Sequence, residues 1–194
     1  MTTPELILAS QSPRRHEILA TAGLSHRVLT AQADEKAVPF HPGRPEEYVT
    51  AISRLKNDAV AAAYPDECGG RVILSADTIV YAPETDEVLG KPKDKSDAVR
   101  MLTGLSGRTH KVITGVTLRY PGGEARSFAE VTEVTFRRLS AEEIEEYCAT
   151  DEPYDKAGAY GIQGRACVFV EGIRGDYFNV VGLPVCRVYA ELGR

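Results

Sequence analysis

Six consecutive residues near the start of the chain have the chemistry of an anion-binding site: Ser10, Gln11, Ser12, Pro13, Arg14 and Arg15. Serine hydroxyls and guanidinium groups can hold phosphate oxygens through hydrogen bonds, which are stronger when the donor is charged. The full phosphate-loop pattern is absent, and two solvated arginines on a helix surface would give the same sequence. An anion site and a plain helix surface are therefore both open at this point.

The elements predicted around this motif are compatible with an anion site and leave the plain helix surface equally open. The apolar run Leu6–Leu8 predicts a short buried strand, and Ser12 predicts the N-cap of a helix that ends near Gly23. Arg14 and Arg15 then lie in the first helical turn, where the helix dipole prefers anions to cations. A bound phosphate would resolve that conflict, because backbone N–H groups and guanidinium groups would share it.

Asp77 interrupts the most apolar strand of the sequence, predicted at residues 72–81. A carboxylate in a buried strand is unfavourable unless it is paired, hydrogen-bonded or bound to a metal ion. A functional role is therefore favoured for Asp77. The alternative is a structural aspartate that accepts backbone hydrogen bonds at a strand end.

Three more polar residues lie in segments that could present them to a ligand. Lys56 lies on a helix predicted from Pro45, and it either extends to solvent or points into a site. Lys91 stands between a glycine and a proline, which predicts a rigid loop. Gln163 belongs to the segment 151–164, whose glycines and charged side chains are typical of a functional loop, with a structural turn as the alternative. The predicted buried face of the helix from Pro45 consists of Tyr48, Ile52, Leu55, Ala59 and Ala62.

The composition allows a packed core and limits the partners. Of the 194 residues, 43% are hydrophobic and 26% are charged, and the net charge is −5. An acidic chain disfavours nucleic acid as a partner, although a local basic pocket for one small polyanion remains compatible with it. The four cysteines are scattered without a CxxC pair, which predicts reduced thiols in a cytoplasmic protein. We also expect no signal peptide and no membrane span, because no apolar run is long enough.

The order of predicted elements indicates an α/β protein. Strands and helices alternate up to a β-hairpin, with strands predicted at 112–120 and 127–137, and Ser140 then begins a helix through a capping box. A strand at 168–170, a turn with a short strand at 175–183 and a helix from Pro184 complete the chain. This order predicts a mixed twisted sheet with flanking helices, and two lobes around a cleft.

The polar residues that stand out would suit a metal–phosphate complex if the fold brings them together. Cations would hold phosphate oxygens, and carboxylates would hold Mg²⁺ or Mn²⁺. The residues concerned are Ser10, Arg14, Arg15, Glu35, Lys56, Asp77, Lys91 and Gln163.

Six blocks of the sequence resemble the Maf family, in the same order and over nearly the whole chain. They are SQSPRR at 10–15, SADT at 75–78, GKP at 90–92, SGRTH at 106–110, DKAGAYGIQG at 155–164 and VVGLP at 180–184. The resemblance implies one domain over residues 1–194 with an α/β fold similar to the inosine-triphosphate pyrophosphatases, and a deep cleft between two lobes. It also implies a cytoplasmic homodimer that splits nucleoside triphosphates into the monophosphate and pyrophosphate with Mg²⁺, Mn²⁺ or Co²⁺.

The resemblance extends to one subgroup, the dTTP/UTP pyrophosphatases. That subgroup has arginine after the proline, threonine after the site aspartate and glutamine in the glycine-rich loop, where this chain has Arg14, Thr78 and Gln163. The subgroup that acts on 7-methyl-GTP has tryptophan at the first position, and this chain contains no tryptophan. Two departures, Asp34 and Gly90, stand where relatives often have glutamate, and they leave the assignment in place.

The resemblance also implies a role for each site residue. Asp77 would be the catalytic base or the carboxylate that organises the metal ion, Glu35 a metal ligand, and Thr78 and Gln163 contacts to the base. The triphosphate would be held by Ser10, Arg14, Arg15, Lys56 and Lys91.

A second reading belongs to a different class of protein. The Maf name is linked to inhibition of septum formation, which implies a non-catalytic, nucleotide-sensing regulator of cell division as the alternative. The complete set of site residues disfavours it, because a protein that only binds nucleotide has no need of a carboxylate such as Asp77 beside a metal ion.

Overall fold

The computed structural model describes residues 6–193, which fall into two compact units. Of the described residues, unit 1 comprises 6–77, 114–130 and 182–193, and unit 2 comprises 78–113 and 131–181. The single domain predicted over residues 1–194 stays a prediction, and its residues 1–5 and 194 lie outside the described residues.

Seven strands among the described residues form one mixed sheet, which confirms the predicted α/β class. They are β1 (Leu6–Leu8), β2 (His26–Val28), β3 (Val72–Ala82), β4 (Glu87–Leu89), β5 (Thr109–Arg119), β6 (Ala125–Phe136) and β7 (Val170–Arg174). The strand order is β2-β1-β3-β5-β6-β7, with β4 paired to β3 outside that path. Strand β1 runs parallel to β2 and β3, whereas β4 and β7 are antiparallel to β3 and β6.

The helices follow the predicted order with two additions, at residues 65–68 and 177–181. They are α1 (Pro13–Thr21), α2 (Pro45–Ala63), α3 (Pro65–Cys68), α4 (Lys95–Leu105), α5 (Ala141–Cys148), α6 (Tyr177–Val181) and α7 (Val185–Glu191). The capping box at Ser140 is confirmed, with its hydroxyl accepting from the Glu143 amide. At α1, Ser12 is the N-cap but its side chain makes no capping bond; its amide instead donates to Ser10 Oγ at 3.3 Å.

Two predictions for the C-terminal third were wrong. Residues 165–169 form a 3₁₀ turn, so the strand expected at 168–170 begins only at Val170. The segment expected to hold a short strand contains α6 instead. Asp176 explains that helix, because its Oδ1 accepts the Phe178 amide hydrogen at 2.8 Å, as a helix-capping aspartate does.

No helix within residues 6–193 is long and apolar enough to cross a membrane. The four cysteines all carry free thiols, in agreement with the prediction that none is oxidised.

The buried face of α2 differs from the predicted one. Tyr48, Leu55 and Ala59 are only half-buried and Ala62 is exposed. The face that is buried contains two polar residues among its apolar ones: Val49, Ile52, Ser53, Asn57 and Val60. The prediction used apolar residues alone and so assigned the polar Ser53 and Asn57 to the solvent side. The predicted buried face is therefore rotated by about one residue from the observed one.

Ser53 and Asn57 are fully buried because they hydrogen-bond to the backbone of the sheet. Ser53 Oγ lies 3.1 Å from the Ser75 carbonyl oxygen, and Ser75 Oγ donates back to the Ser53 carbonyl at 2.8 Å. Asn57 Nδ2 donates to the carbonyl oxygens of Ile73 and Thr117 at 3.0 and 3.2 Å. Helix α2 is therefore held on β3 and β5 by directional bonds, and not by apolar contact alone.

Gly115 brings the α2 backbone directly onto β5. A Cβ atom at this position would lie 2.5 Å from the Val49 carbonyl oxygen and 2.7 Å from the Thr50 amide nitrogen. Both are backbone atoms of α2, so no change of side-chain rotamer could relieve the contact. The close approach is what lets the short side chain of Ser53 reach the sheet.

We expect Gly115→Ala to destabilise the protein strongly, because the helix must move away from the sheet to admit one methyl group. Overpacking costs about 1–3 kcal/mol when side chains can adjust, and here none can. The melting temperature should fall by at least about 5 °C, measured by calorimetry. The matched control is Gly104→Ala in α4, where nothing lies within 4 Å and a gain of about 0.5–1 kcal/mol is expected. Equal melting temperatures for Gly115→Ala and wild type would contradict the close approach.

Candidate active site

Three of the predicted site residues meet in unit 1 around one ammonium group. Lys56 Nζ lies 2.6 Å from Asp77 Oδ1 and 3.1 Å from Glu35 Oε1. The Asp77 side chain is 17% exposed and that of Glu35 is 50% exposed, so the cluster opens to solvent on the Glu35 side. Lys56 thus pairs with both carboxylates and does not extend into solvent.

The register between α2 and β3 explains why Lys56 reaches Asp77. Residues two apart on a strand share one face, so Asp77 projects on the same side as Ser75. Residues three apart on a helix are neighbours, so Lys56 follows Ser53 on the face of α2. Because Ser53 is bonded to Ser75, the next pair along, Lys56 and Asp77, is brought to contact distance.

Tyr48 also belongs to this cluster, although only its position on a helix was predicted. Partial burial raises the pKa of the Tyr48 hydroxyl, and the negative charges of Asp77 and Glu35 raise it further. The hydroxyl therefore stays protonated and can donate a hydrogen bond beside the carboxylates. A tyrosine five residues before the buried Ser53 carries no sequence signal for such a role.

The serine–arginine motif is also assembled in unit 1. Arg15 is buried, with its Nη1 donating to Ser10 Oγ at 2.9 Å and its Nε donating to the Gly182 carbonyl oxygen at 2.8 Å. Burial lowers the pKa of the Arg15 guanidinium, and the neighbouring charge of Arg14 lowers it too, while Asp77 and Glu35 act in the opposite direction. Arg15 is therefore a fixed cation, and not the solvated surface residue that the sequence left open.

The two carboxylates suit a metal ion that binds together with a phosphate ligand. Within residues 6–193, no group of three or more histidine, cysteine, aspartate or glutamate side chains is arranged to hold a metal ion. Mg²⁺ is usually bound by one or two carboxylates, substrate phosphates and water, and not by an all-protein cage. Glu35 and Asp77 provide such a pair of oxygen ligands, since both already converge on the charge of Lys56.

The other three predicted residues, Thr78, Lys91 and Gln163, belong to unit 2. Lys91 is exposed in the turn after β4, next to Gly90, whose carbonyl oxygen accepts the Gly158 amide hydrogen at 3.0 Å. Gly158 has a φ of 69°, and a Cβ there would meet the Val80 side chain at 2.9 Å. The loop that carries Lys91 and the glycine-rich loop are thus joined by one backbone bond at a position that requires glycine.

Gln163 is presented on a tight turn that is built on Glu152. The Gly164 amide donates to the Gly161 carbonyl at 3.0 Å, which closes the turn around Gln163. Glu152 Oε2 accepts the Arg165 amide hydrogen at 3.0 Å, and its Oε1 accepts from Tyr147 at 3.0 Å. Glu152 therefore fixes the turn through its two carboxylate oxygens, a role that its place in the chain did not predict.

His110 anchors the middle of the same loop through Tyr160. The His110 ring nitrogen Nε2 lies 2.8 Å from the Tyr160 hydroxyl, and both rings pack edge-to-face against Phe136. Burial lowers the pKa of His110 to about 4, so the ring is neutral at pH 7. The conformation of the glycine-rich loop depends on this buried aromatic cluster as well as on its glycines.

The sequence comparisons decide the family. A family profile described as "Maf-like protein" matches residues 5–194. The chain belongs to the Maf family. A dTTP/UTP pyrophosphatase of Geobacillus sp. (strain WCH70) is 47% identical over 191 residues, covering 98% of this chain and 97% of that protein. A Maf-family relative of the same name from Symbiobacterium thermophilum is 49% identical over 188 residues, covering 97% and 92% of the two chains.

A structural relative supports the fold of this Maf-family chain. The Staphylococcus aureus Ham1 protein superposes with a TM-score of 0.51 at 12% sequence identity, covering 98% of this chain and 100% of that one. At this identity the likeness concerns the fold alone.

The buried His110 gives a testable pH dependence. Its pKa is lowered from an ordinary 6.5 to about 4, so between these values the unfolded chain binds a proton that the folded chain refuses. Stability should therefore fall as the pH drops through this window, by about 2 kcal/mol between pH 7 and pH 5 from this residue. Urea unfolding of His110→Phe should show a correspondingly smaller pH dependence, whereas His41→Asn, a change at an exposed residue, should match the wild type. Identical slopes for His110→Phe and wild type would rule out this account.

Proposed function

We propose that this chain hydrolyses dTTP and UTP to the nucleoside monophosphate and pyrophosphate with the help of a divalent metal ion. The observation that carries the proposal is the cluster in which Lys56 joins Asp77 and Glu35, with the fixed Arg15 in the same unit. A carboxylate pair and several cations are the groups that a metal–triphosphate complex needs. The names of the two relatives, at 47% and 49% identity over nearly the full length, support the reaction and the substrates.

Asp77 is proposed as the catalytic carboxylate. Lys56 Nζ donates to its Oδ1 at 2.6 Å, and in the proposed reaction Asp77 accepts a proton from a water molecule that attacks the α-phosphorus. With Glu35 it would also hold Mg²⁺, Mn²⁺ or Co²⁺, which when bound would neutralise phosphate charge and make the attacking water more acidic. The phosphorus–oxygen bond to the β-phosphate then breaks, and pyrophosphate leaves with its negative charge.

The cations are proposed to hold the triphosphate. Arg14 and Arg15 lie in the first turn of α1, beside the backbone N–H groups of the helix start, and Ser10 orients Arg15 through the 2.9 Å bond. Lys56 and Lys91 add ammonium charges, which act where negative charge gathers on the leaving pyrophosphate. An arginine fixed by Ser10 and Gly182 loses little rotamer entropy when it binds a phosphate.

Thr78 and Gln163 are proposed to contact the base. One amide group carries both a donor and an acceptor, and thymine and uracil present carbonyl acceptors on either side of an N–H donor. Cytosine presents an amino group and an unprotonated ring nitrogen, so the same contacts would have to rearrange. A cytoplasmic location and a homodimer complete the proposal; free cysteines support the first, and the family resemblance is the reason for the second.

Replacing Asp77 with asparagine should remove turnover and leave the fold intact. The change keeps the size of the side chain and removes the negative charge, and general-base catalysis alone is worth about 10²–10⁴-fold. Pyrophosphate release from dTTP should therefore fall by at least about a hundredfold, with an unchanged circular dichroism spectrum. The control is Asp66→Asn, on exposed α3. Near wild-type turnover by a folded Asp77→Asn protein would refute the assignment.

The preference for the base can be measured on a panel of nucleotides at equal metal concentration. We expect kcat/KM for dTTP and UTP to exceed that for CTP by roughly ten- to a hundredfold, because a buried polar group left unpaired costs about 1–3 kcal/mol. Gln163→Glu should reduce this preference, since a carboxylate cannot donate to the base carbonyl. If purine nucleotides match dTTP, the specificity proposal fails and the pyrophosphatase proposal survives. If no triphosphate is hydrolysed with Mg²⁺, Mn²⁺ or Co²⁺, the pyrophosphatase proposal fails. The favoured function is then the alternative, a non-catalytic, nucleotide-sensing regulator of cell division.

A further inference from the structure

Two histidines of unit 1 face each other outside the carboxylate cluster. His16 lies on α1 and His26 is the first residue of β2. His16 Nδ1 lies 2.7 Å from His26 Nε2, with ring centroids 4.8 Å apart and an angle of 67° between the ring planes. His16 is exposed and His26 is half-exposed, so solutes can reach the pair from solvent.

A backbone carbonyl sets the tautomer of His26. Its Nδ1 lies 2.8 Å from the Leu24 carbonyl oxygen, which can only accept, so Nδ1 carries the hydrogen and donates it. Neutral His26 therefore presents a lone pair on Nε2, which points to His16. Histidines that bind metal ions are held in this way, with one nitrogen on the metal and the other donating to a carbonyl or carboxylate.

The second lone pair comes from His16. In the absence of a cation, His16 Nδ1–H donates to His26 Nε2, which accounts for their 2.7 Å separation. When neutral His16 carries its hydrogen on the other ring nitrogen, Nδ1 becomes a ligand as well. This shift moves one proton through water between the two ring nitrogens and leaves the charge of the pair unchanged.

The spacing suits two ligands of one metal ion. Nitrogen atoms about 2.0–2.1 Å from a common ion are roughly 2.8–3.4 Å apart at octahedral or tetrahedral angles. From their present 2.7 Å the two nitrogens must move apart slightly, and the exposed His16 ring must also turn so that the two lone pairs converge on one ion beside the line that joins the nitrogens. Water would fill the remaining positions, since no third protein ligand of the usual kinds joins the pair within residues 6–193.

We propose that His16 and His26 form a two-imidazole site for a transition-metal dication of the Zn²⁺, Ni²⁺ or Cu²⁺ type. Imidazole favours these ions, whereas Mg²⁺ requires oxygen ligands, so the site differs in chemistry from the carboxylates Glu35 and Asp77. A bound ion would connect α1, which carries Arg14 and Arg15, to the edge strand β2.

Isothermal titration of the untagged, nucleotide-free protein with NiCl₂ tests the site. We expect one Ni²⁺ to bind per chain, and Cu²⁺ to bind more tightly than Ni²⁺. His16→Asn and His26→Asn should each weaken Ni²⁺ binding by at least about tenfold, as loss of even an indirect contributor to a metal site often does. His41→Asn, another exposed histidine outside the pair, is the matched control and should bind as the wild type does.

Two results would overturn the proposal. Unchanged Ni²⁺ affinity in both His16→Asn and His26→Asn would show that the ion binds elsewhere, and loss of binding in Glu35→Gln alone would assign it to the carboxylates. A second measurement needs no variant: substoichiometric Cu²⁺ should broaden the imidazole NMR signals of His16 and His26 before those of His41 and His110. Broadening of His41 first, or of all four together, would equally reject the site.

Discussion

The close approach of α2 to the sheet is the constraint on which unit 1 depends. Gly115 removes the side chain that would separate them, and the buried groups of Ser53 and Asn57 then bond to backbone atoms of β3 and β5. Apolar packing tolerates small slips along a helix axis, but hydrogen bonds of 3.0–3.2 Å to particular carbonyl groups do not. Helix α2 is therefore fixed both in its position along its axis and in its rotation about that axis.

The carboxylate cluster follows from that fixed register. Lys56 lies between Ser53 and Asn57 along α2, so the bonds of these two residues also determine where its ammonium group lies relative to β3. A carboxylate in an apolar strand is unfavourable without a partner, and Lys56 contacts Asp77 at 2.6 Å. The residues that hold the helix on the sheet thus also place Lys56 beside Asp77, the carboxylate that we propose as the catalytic one.

Much of this arrangement was predictable from the sequence, and the remainder depends on tertiary contacts that local sequence patterns do not predict. The strand around Asp77, the helix from Pro45 and the hairpin follow from hydrophobic runs and turn residues, which act locally. The buried face of α2 was predicted wrongly, because Ser53 and Asn57 are buried by bonds to residues 16 to 60 positions away. Glu152 and Tyr48 gave no signal for the same reason: their roles depend on tertiary neighbours, and not on residues beside them in the chain.

The single backbone bond between Gly158 and Gly90 has a consequence for how this sequence can change over generations. It joins the segment of Lys91 to the loop of Gln163, so neither segment can shift without moving the other. A lineage that changed the backbone of one segment would also displace the other, so the side chains of Lys91 and Gln163 would move together. Changes that keep both positions should therefore arise by exchange of side chains on an unchanged backbone, and insertions in either segment should be rare among relatives that keep both residues.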